Sequence, residues 1–166
     1  MNPWWGCEKI AEACTHCYIK RMMGFQGKEP FKGPIKTQEM GKPLAIQRKL
    51  GGTDFAVKCF TCSYSDFFHD EADEWRKEAW DIIRQSPNVI FQILTKRPER
   101  IKRNLPPDWG EGWKNVWLGV SVGCKRNLHT IDLLREIPCH PEAVRFLSCE
   151  PLLEDISEEL DLTGIS

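Results

Sequence analysis

The chain has 166 residues, with 23 Lys and Arg against 24 Asp and Glu, 41% hydrophobic residues and 28% charged residues. This composition is typical of a globular domain and excludes disordered and fibrous proteins. No apolar run reaches the length of about 18 residues that a transmembrane helix needs, and a formal net charge of -1 argues against indiscriminate coating of nucleic acid. No signal-peptide pattern is visible, so we expect a cytoplasmic protein whose eight cysteines are thiols rather than disulfides.

The first fifty residues differ in composition from the rest of the chain. They hold nine Lys and Arg against four Asp and Glu, whereas no basic residue follows Arg145. A helix is predicted over residues 14–23. Residues 24–52 are rich in Gly, Pro and Lys and are predicted to form a long loop, with a helix over residues 43–50.

From residue 54 onward, short apolar runs alternate with segments of helical periodicity. Strands are predicted over residues 54–62, 89–95, 116–122 and 143–148. Helices are predicted over residues 73–85, 98–105, 127–137 and 153–160. Apolar strands separated by helices are typical of βαβ units in a parallel sheet. We therefore predict a single domain over 1–166, made of a cysteine-motif segment (1–23), a long loop (24–52) and βα repeats (53–153).

Polar and ionisable residues follow the predicted strands. Ligands of parallel α/β folds bind at the carboxyl ends of the strands, so these residues are the candidates for a binding or catalytic site. They are Cys62, Asp66, His69, Lys96, Arg97, Ser121, Cys149 and Glu150.

Cys7, Cys14 and Cys17 form the most specific pattern in the sequence. Three thiolates on a loop that leads into a helix can bind three irons of a [4Fe–4S] cluster and leave the fourth iron open to an exogenous ligand. The same residues can instead form a structural zinc site, completed by His16 or by cysteines of the first predicted strand, or can stay unliganded. Ligand type alone leaves these alternatives open.

The remaining cysteines are predicted to act separately. Cys59 and Cys62 are three residues apart in a predicted strand, where side chains alternate between faces, so they do not form a second half-site. We expect Cys59 in the core and Cys62 at the strand end. Cys124 and Cys139 are predicted to be small buried or surface thiols, whereas Cys149 is a strand-end candidate.

Asp66 and His69 suit acid–base catalysis or ligand binding. Their alternative roles are structural, with Asp66 capping a turn and His69 preceding a helix at the surface. Trp4 and Trp5 precede Cys7 and either shield a cluster from water or pack in the core.

A cationic run begins at Lys96 and Arg97 and continues through Arg100, Lys102 and Arg103. Such a run can bind a phosphate or a carboxylate. Its later members suit a solvated helix face, whereas Lys96 and Arg97 lie at a strand end and are the better binding candidates.

Six ordered segments carry a family resemblance: NPWWGC, CTHCY, SYSDFFHD, LTKRPER, VWLGVSV and RFLSCEPLL. They run from residue 2 to about residue 155. Together they resemble a phage- and bacteria-encoded family of unknown function with a three-cysteine motif, which is similar to the radical SAM superfamily and its branch like spore photoproduct lyase. Radical SAM proteins usually have the spacing Cys-x3-Cys-x2-Cys, whereas this chain has Cys-x6-Cys-x2-Cys.

The resemblance implies an incomplete parallel (β/α) barrel of the radical SAM type, which is a truncated TIM-like barrel. It also implies a [4Fe–4S] cluster on the three cysteines, S-adenosylmethionine on the open iron, and an electron donor. Reductive cleavage would give a 5′-deoxyadenosyl radical that abstracts hydrogen from an unknown substrate, with nucleic acid as one candidate. Contacts to cofactor or substrate would come from Lys96, Arg97, Ser121 and Glu150. The catalytic candidates are Asp66, His69 and Cys149.

Family members usually have a strand before the NPW segment and continue past the EPLL segment, so the resemblance implies a fragment or a shortened gene product. A full (β/α)8 barrel takes about 250 residues. The alternative function is a non-catalytic phage protein that holds zinc or an iron–sulfur cluster and binds nucleic acid through residues 20–49 and 96–103. Neither function involves a membrane.

Overall fold

The structure is a computed structural model that describes residues 1–27 and 29–166. Its strands are β1 (Trp4–Trp5), β2 (Ile35–Lys36), β3 (Val57–Thr61), β4 (Val89–Thr95), β5 (Val116–Ser121) and β6 (Arg145–Ser148). Its α-helices are α1 (Ile19–Gly24), α2 (Lys42–Leu50), α3 (Asp73–Arg84) and α4 (His129–Arg135). Short 3₁₀ helices lie at Glu12–His16, Asp70–Ala72, Pro98–Arg100, Lys102–Asn104 and Lys125–Asn127.

A four-stranded parallel sheet forms the centre of the fold. The strands follow one another in chain order, β3-β4-β5-β6. Each strand is parallel to its neighbour. The predicted parallel sheet is therefore confirmed, and β4 has the predicted bounds. The other three strands begin and end within three residues of their predicted bounds.

The sheet is open, which overturns the predicted incomplete (β/α) barrel. Within the described residues β3 and β6 are the two edges of the sheet, and no strand joins them. The fold is a small α/β domain with a four-stranded parallel sheet and a two-stranded antiparallel sheet, rather than a truncated TIM-like barrel. The prediction was wrong because the βα rhythm is the same in both architectures. Closure depends on strand number and tilt, which that rhythm does not specify.

One face of the sheet packs against α3 and α4 and forms the core. Burial alternates along β4, as expected for a strand with one covered face. The buried side chains on this face and on the two helices are Val89, Phe91, Ile93, Val116, Leu118, Val120, Ala79, Trp80, Ile82, Ile83, Ile131 and Leu134. Burying each of the larger ones stabilises the fold by about 1.5–3 kcal/mol.

Aromatic side chains extend this core towards the first strand. The ring centroid of Phe67 lies 5.0 Å from that of Trp80 and 5.5 Å from that of Trp4. Trp4 is fully buried, so it packs in the core. Trp5 is half-buried and lines a separate small cavity with Asn2 and Tyr64.

A buried arginine holds the segment that follows β3. Arg76 on α3 is 2% exposed, and its guanidinium donates to the main-chain oxygens of Phe67 and His69. It also donates to the side chains of Asp73 at 2.5 Å and Asn104 at 2.7 Å. Burial lowers the pKa of Arg76, and the Asp73 carboxylate opposes this change. These bonds fix residues 67–73 against α3 and so position the preceding loop.

The first fifty residues contain a small sheet that the sequence did not predict. β1 pairs antiparallel with β2, with Trp4 opposite Lys36. The helix predicted over residues 14–23 is split into the 3₁₀ helix Glu12–His16 and α1, because Cys17 adopts an extended backbone. α2 begins one residue before its predicted start.

Two further predicted helices differ in the structure. Residues 98–105 form two 3₁₀ turns instead of one helix. Residues 153–160 form turns rather than a helix. There the main-chain N–H of Lys125 donates to Glu154 and its ammonium pairs with Glu159, so this segment is held by side-chain contacts to the loop after β5.

Among the described residues, no helix has both the length and the apolar character that crossing a bilayer requires.

Candidate functional site

A cavity of about 790 Å³ opens at the carboxyl ends of the four parallel strands. Ligands bind at this end of open parallel α/β sheets, and small-molecule sites have volumes of roughly 300–1,000 Å³. The predicted site residues that line it are Cys7, Cys14, Cys17, Cys62, Asp66, Lys96, Arg97, Ser121, Cys149 and Glu150. The fold thus brings together the three-cysteine motif and the ends of all four strands.

The backbone around Cys7 is held by two loops. Gly6 has φ +93°, and a Cβ there would collide with the carbonyl oxygen of Gly33. The Gly6 N–H donates to the Tyr64 carbonyl at 2.9 Å, and the Cys7 N–H donates to the Pro30 carbonyl at 2.7 Å. Glycine is therefore required at this position, because it lets the chain pass closely between the two loops and places Cys7 at the cavity.

Cys14 and Cys17 are placed by one turn of 3₁₀ helix. Cys14 lies within it and is buried, whereas Cys17 follows its last residue and is half-buried. The neighbouring Ala13 packs near Gly123, where a Cβ would collide with the carbonyl oxygen of Pro151. This close packing fixes the cysteine segment against the loops that follow β5 and β6.

The spacing of the thiols bears on which metal they suit. Within the described residues, no three of Cys7, Cys14, His16, Cys17 and Cys62 have ligand atoms within 4.8 Å of one another. Thiolates on one tetrahedral zinc ion are bound at about 2.3 Å and so lie only about 4 Å apart. In a [4Fe–4S] cluster each thiolate binds a different iron, so the sulfurs stand farther apart. The described residues therefore do not form a preassembled tetrahedral zinc site at these cysteines, and the [4Fe–4S] cluster stays a prediction.

Asp66 organises the strand ends beside the motif. Its carboxylate accepts from the Thr95 hydroxyl at 2.7 Å and from the main-chain N–H groups of Lys96 at 2.9 Å and Phe68 at 2.9 Å. It also lies 3.6 Å from the Arg97 guanidinium, and both side chains are buried. These bonds favour a structural role for Asp66, and its catalytic role stays a prediction.

Arg97 links this carboxylate to the cysteine motif. Its Nη1 lies 3.9 Å from the Cys7 sulfur, and its Nη2 lies 3.8 Å from a carboxylate oxygen of Glu8. Nη2 is buried and makes no hydrogen bond with the described residues. Burial raises the pKa of Cys7, Asp66 raises it further, and Arg97 opposes both. Cys7 is thus a thiol that lies beside a buried cation.

Lys96 and Ser121 form a second polar group in the cavity. The Lys96 ammonium donates to the Ser121 hydroxyl at 3.2 Å. Among the described residues, no carboxylate lies within ion-pair distance of Lys96. Glu150 is exposed and Cys149 is half-buried at the rim. The cavity therefore offers a cation without a counter-ion near β5 and an acid near β6.

The two cysteines of the first predicted strand are placed apart, because Cys59 lies within β3 whereas Cys62 follows its last residue and has a φ of +60°. Cys62 lines the cavity, whereas Cys59 packs against the core and its sulfur accepts from the N-terminal ammonium at 2.9 Å. Burial raises the pKa of Cys62 well above its usual range, and Asp66 raises it further. Cys62 therefore stays a neutral thiol at the cavity wall.

His69 does not line the cavity. It is completely buried, and its Nδ1 accepts from the main-chain N–H of Glu71 at 3.3 Å, so it caps the 3₁₀ helix that begins at Asp70. Burial lowers the pKa of His69, and the Arg97 cation lowers it further. The structure does not bring His69 and Asp66 together in the cavity, and the catalytic role of His69 stays a prediction.

The cationic run divides by environment. Lys96 and Arg97 line the cavity, whereas Lys102 and Arg103 are exposed. Arg100 donates to the Phe68 carbonyl and pairs with Asp73, both at 2.7 Å, so it supports the fold. Neither Trp4 nor Trp5 lines the cysteine cavity.

The sequence reasoning missed several lining residues, among them Glu8, Phe31 and Phe146. Strand alternation would have found Phe146, because it lies on the same face of β6 as Ser148. Phe31 lies in an irregular loop, under the Lys9 ammonium at 4.9 Å from the ring centroid. No periodic signal in the sequence could have placed it.

The comparisons identify the family of the chain without assigning an activity. A family model described as "Protein of unknown function (DUF5131)" matches residues 1–166. Searches of the curated proteins and of the solved structures give no match.

Proposed function

The chain belongs to the DUF5131 family, and we propose that it is a radical SAM-type iron–sulfur enzyme. The observation that carries this proposal is the convergence of Cys7, Cys14 and Cys17 on one cavity with the polar ends of the parallel strands. Structural cysteines have no need to share a ligand-sized cavity with buried charges. A metal cluster that binds a charged small molecule does need such a site.

The residues present fit a [4Fe–4S] cluster. Three thiols are the protein ligands, and their spread exceeds that of a single zinc ion. Arg97 offers a buried cation beside the Cys7 sulfur and an Nη2 that has no hydrogen-bond partner among the described residues. A buried arginine that can still donate suits a site whose ligands become anionic when metal binds.

The cavity also has complementary groups for S-adenosylmethionine, whose carboxylate is anionic and whose sulfonium and amino groups are cationic. We infer that Lys96 and Ser121 hold the carboxylate and that Glu150 faces the cationic groups. Bound together, the cluster and S-adenosylmethionine supply a 5′-deoxyadenosyl radical when an electron donor reduces them. The protein's part is to orient the cofactor, exclude water and admit the substrate, in a reducing compartment such as the cytoplasm.

Anaerobic reconstitution with iron and sulfide tests this proposal. We expect about four irons and four sulfides per chain. With a chemical reductant and S-adenosylmethionine, the reconstituted protein should release 5′-deoxyadenosine and methionine without added substrate. One tightly held zinc and no iron would overturn the proposal and favour the non-catalytic alternative.

A matched pair of cysteine variants gives the control. Cys14 and Cys124 are similarly buried, at 7% and 5% exposure, but Cys124 does not line the cavity. We expect Cys14→Ala to lose iron and Cys124→Ala to keep it. Equal iron content in the two variants would show that the three-cysteine motif does not hold the metal.

A further inference from the structure

Within residues 1–27 and 29–166, no α-helix packs along the face of the central sheet opposite α3 and α4. Side chains alternate along parallel strands, and the register places residues of one parity on the face opposite α3 and α4. We call this the open face. It consists of Lys58, Phe60, Ile90, Gln92, Leu94, Trp117, Gly119, Ser121, Phe146 and Ser148. At the carboxyl ends of the strands the open face is continuous with the cysteine cavity, because Phe60, Leu94, Phe146 and Ser148 also line that cavity.

Three aromatic side chains lie on the open face. Phe60 is 43% exposed, and Trp117 and Phe146 are half-buried. The Phe146 ring lies over Gly119, where an added Cβ would be 2.5 Å from the ring. Glycine at position 119 therefore lets Phe146 lie against the sheet. The result is a row of aromatic surfaces across β3, β5 and β6.

The charge on this face has one sign. Lys58 is exposed, and its ammonium lies 4.6 Å from the Trp117 ring centroid. Lys96 lies beyond Leu94 at the cavity end of the same face. None of the strand residues on the open face is an acid. The acids that line the adjoining cavity are Glu8, Asp66 and Glu150. Glu8 and Asp66 face Arg97, and Glu150 is exposed at the rim.

We propose that the open face binds single-stranded nucleic acid, with bases on the aromatic rings and phosphates at Lys58. Base stacking on exposed aromatic side chains together with cationic contacts to the backbone is the usual chemistry of such sites. Protein interfaces are depleted of lysine at their core, so a cationic aromatic face favours the anionic partner. The inference rests on the proposed function and names its substrate class. A single-stranded nucleic acid bound along this face would lead into the cysteine cavity.

Fluorescence anisotropy of a labelled oligothymidylate of about twelve nucleotides tests the inference on the full chain without reconstituted iron. We expect saturable binding that weakens with salt. The complementary duplex should bind more weakly than the single strand, because paired bases are not free to stack on the face. Circular dichroism of each protein sample establishes that it is folded.

Two variants of exposed residues separate the stacking and charge contributions. Phe60→Ala should weaken binding on the order of tenfold. Lys58→Ala should lower the slope of log affinity against log salt by about 0.7. Their controls are Phe25→Ala, at an exposed aromatic in another segment, and Lys77→Ala, at an exposed lysine on α3. Both controls should bind as the unchanged protein does.

The inference is wrong if the oligonucleotide does not bind, if the duplex binds equally well, or if Phe60→Ala and Phe25→Ala behave alike. Concentration-dependent self-association that Phe60→Ala abolishes would assign the open face to a second copy of the chain and would also overturn it. If the oligonucleotide does not bind but iron uptake depends on Cys14, the proposed function still stands. If the chain binds the oligonucleotide but takes up no iron in the separate reconstitution experiment, only the proposed function is overturned.

Discussion

Removal of the Asp66 carboxylate gives the sharpest test of how the site is built. Asp66→Ala deletes the acceptor of three hydrogen bonds, from Thr95 at 2.7 Å, Lys96 at 2.9 Å and Phe68 at 2.9 Å. It also removes the buried counter-ion that lies 3.6 Å from Arg97. Among the described residues, Glu8 is then the one carboxylate left within ion-pair distance of the guanidinium, and that side chain is 63% exposed.

The expected cost follows from the burial of this pair. Removing one partner of a buried ion pair costs about 3–5 kcal/mol, because the other charge stays buried without compensation. The cost of exposed pairs is about 1 kcal/mol or less. Asp81→Ala is the matched control, since Asp81 pairs with Arg84 at 2.5 Å but both side chains are largely exposed. Asp66→Asn keeps one oxygen acceptor, so its loss in free energy of unfolding should lie between those of Asp66→Ala and Asp81→Ala.

Urea unfolding of the metal-free protein, followed by circular dichroism, measures these free energies. We expect Asp66→Ala to lose several times more stability than Asp81→Ala, with an unchanged denaturant slope. If the two substitutions cost the same, Asp66 does not anchor the strand ends, and the structural role assigned to it is refuted.

Two further predictions concern Gly6 and His69. Gly6→Ala should lose more stability and more iron than Gly27→Ala. Both glycines have a positive φ, but of the two only a Cβ at Gly6 would meet another residue. Equal losses would contradict the close approach of Gly6 to Gly33. The pKa of His69 is lowered from 6.5 in the folded protein, so the unfolded chain binds its proton more readily. Its contribution to stability is complete above about pH 6.5 and is lost as pH falls from there towards the lowered pKa. Urea unfolding at about pH 7.5 and about pH 5.5 should show that His69→Gln reduces this loss, and an identical loss would count against it.

The outcome for each element depended on how local its signal was. β4 and α3 have strong periodicity over their own length, and their predicted bounds agree with the structure to within one residue. β1 and β2 are two residues each and are separated by residues 6–34, so their pairing has no local signal. The tail predicted as a helix is held instead by contacts of Lys125, which no property of the tail itself specifies.

The candidate site divides in the same way. The sequence predicted that polar residues follow the strands and lie together, because the carboxyl ends of parallel strands meet at one edge of the sheet. The sequence could not show that the Arg97 guanidinium contacts the Cys7 sulfur, which lies 90 positions away. That contact depends on the loops around Gly6 and on the hydrogen bonds of Asp66. His69 shows the converse: its position after a strand suggested the site, but its ring is turned into the protein to cap a helix.

The sequence by itself therefore determined the parallel strands, the separate cysteine motif and the polar character of one sheet edge, because each rests on residue type and short-range periodicity. Only the tertiary structure decided that the sheet stays open, that one of its faces is uncovered, and that the cysteine motif shares a cavity with the strand ends. These features depend on contacts between segments that are distant along the chain. Such contacts are selected by packing and buried charge, neither of which has a period that a sequence can reveal.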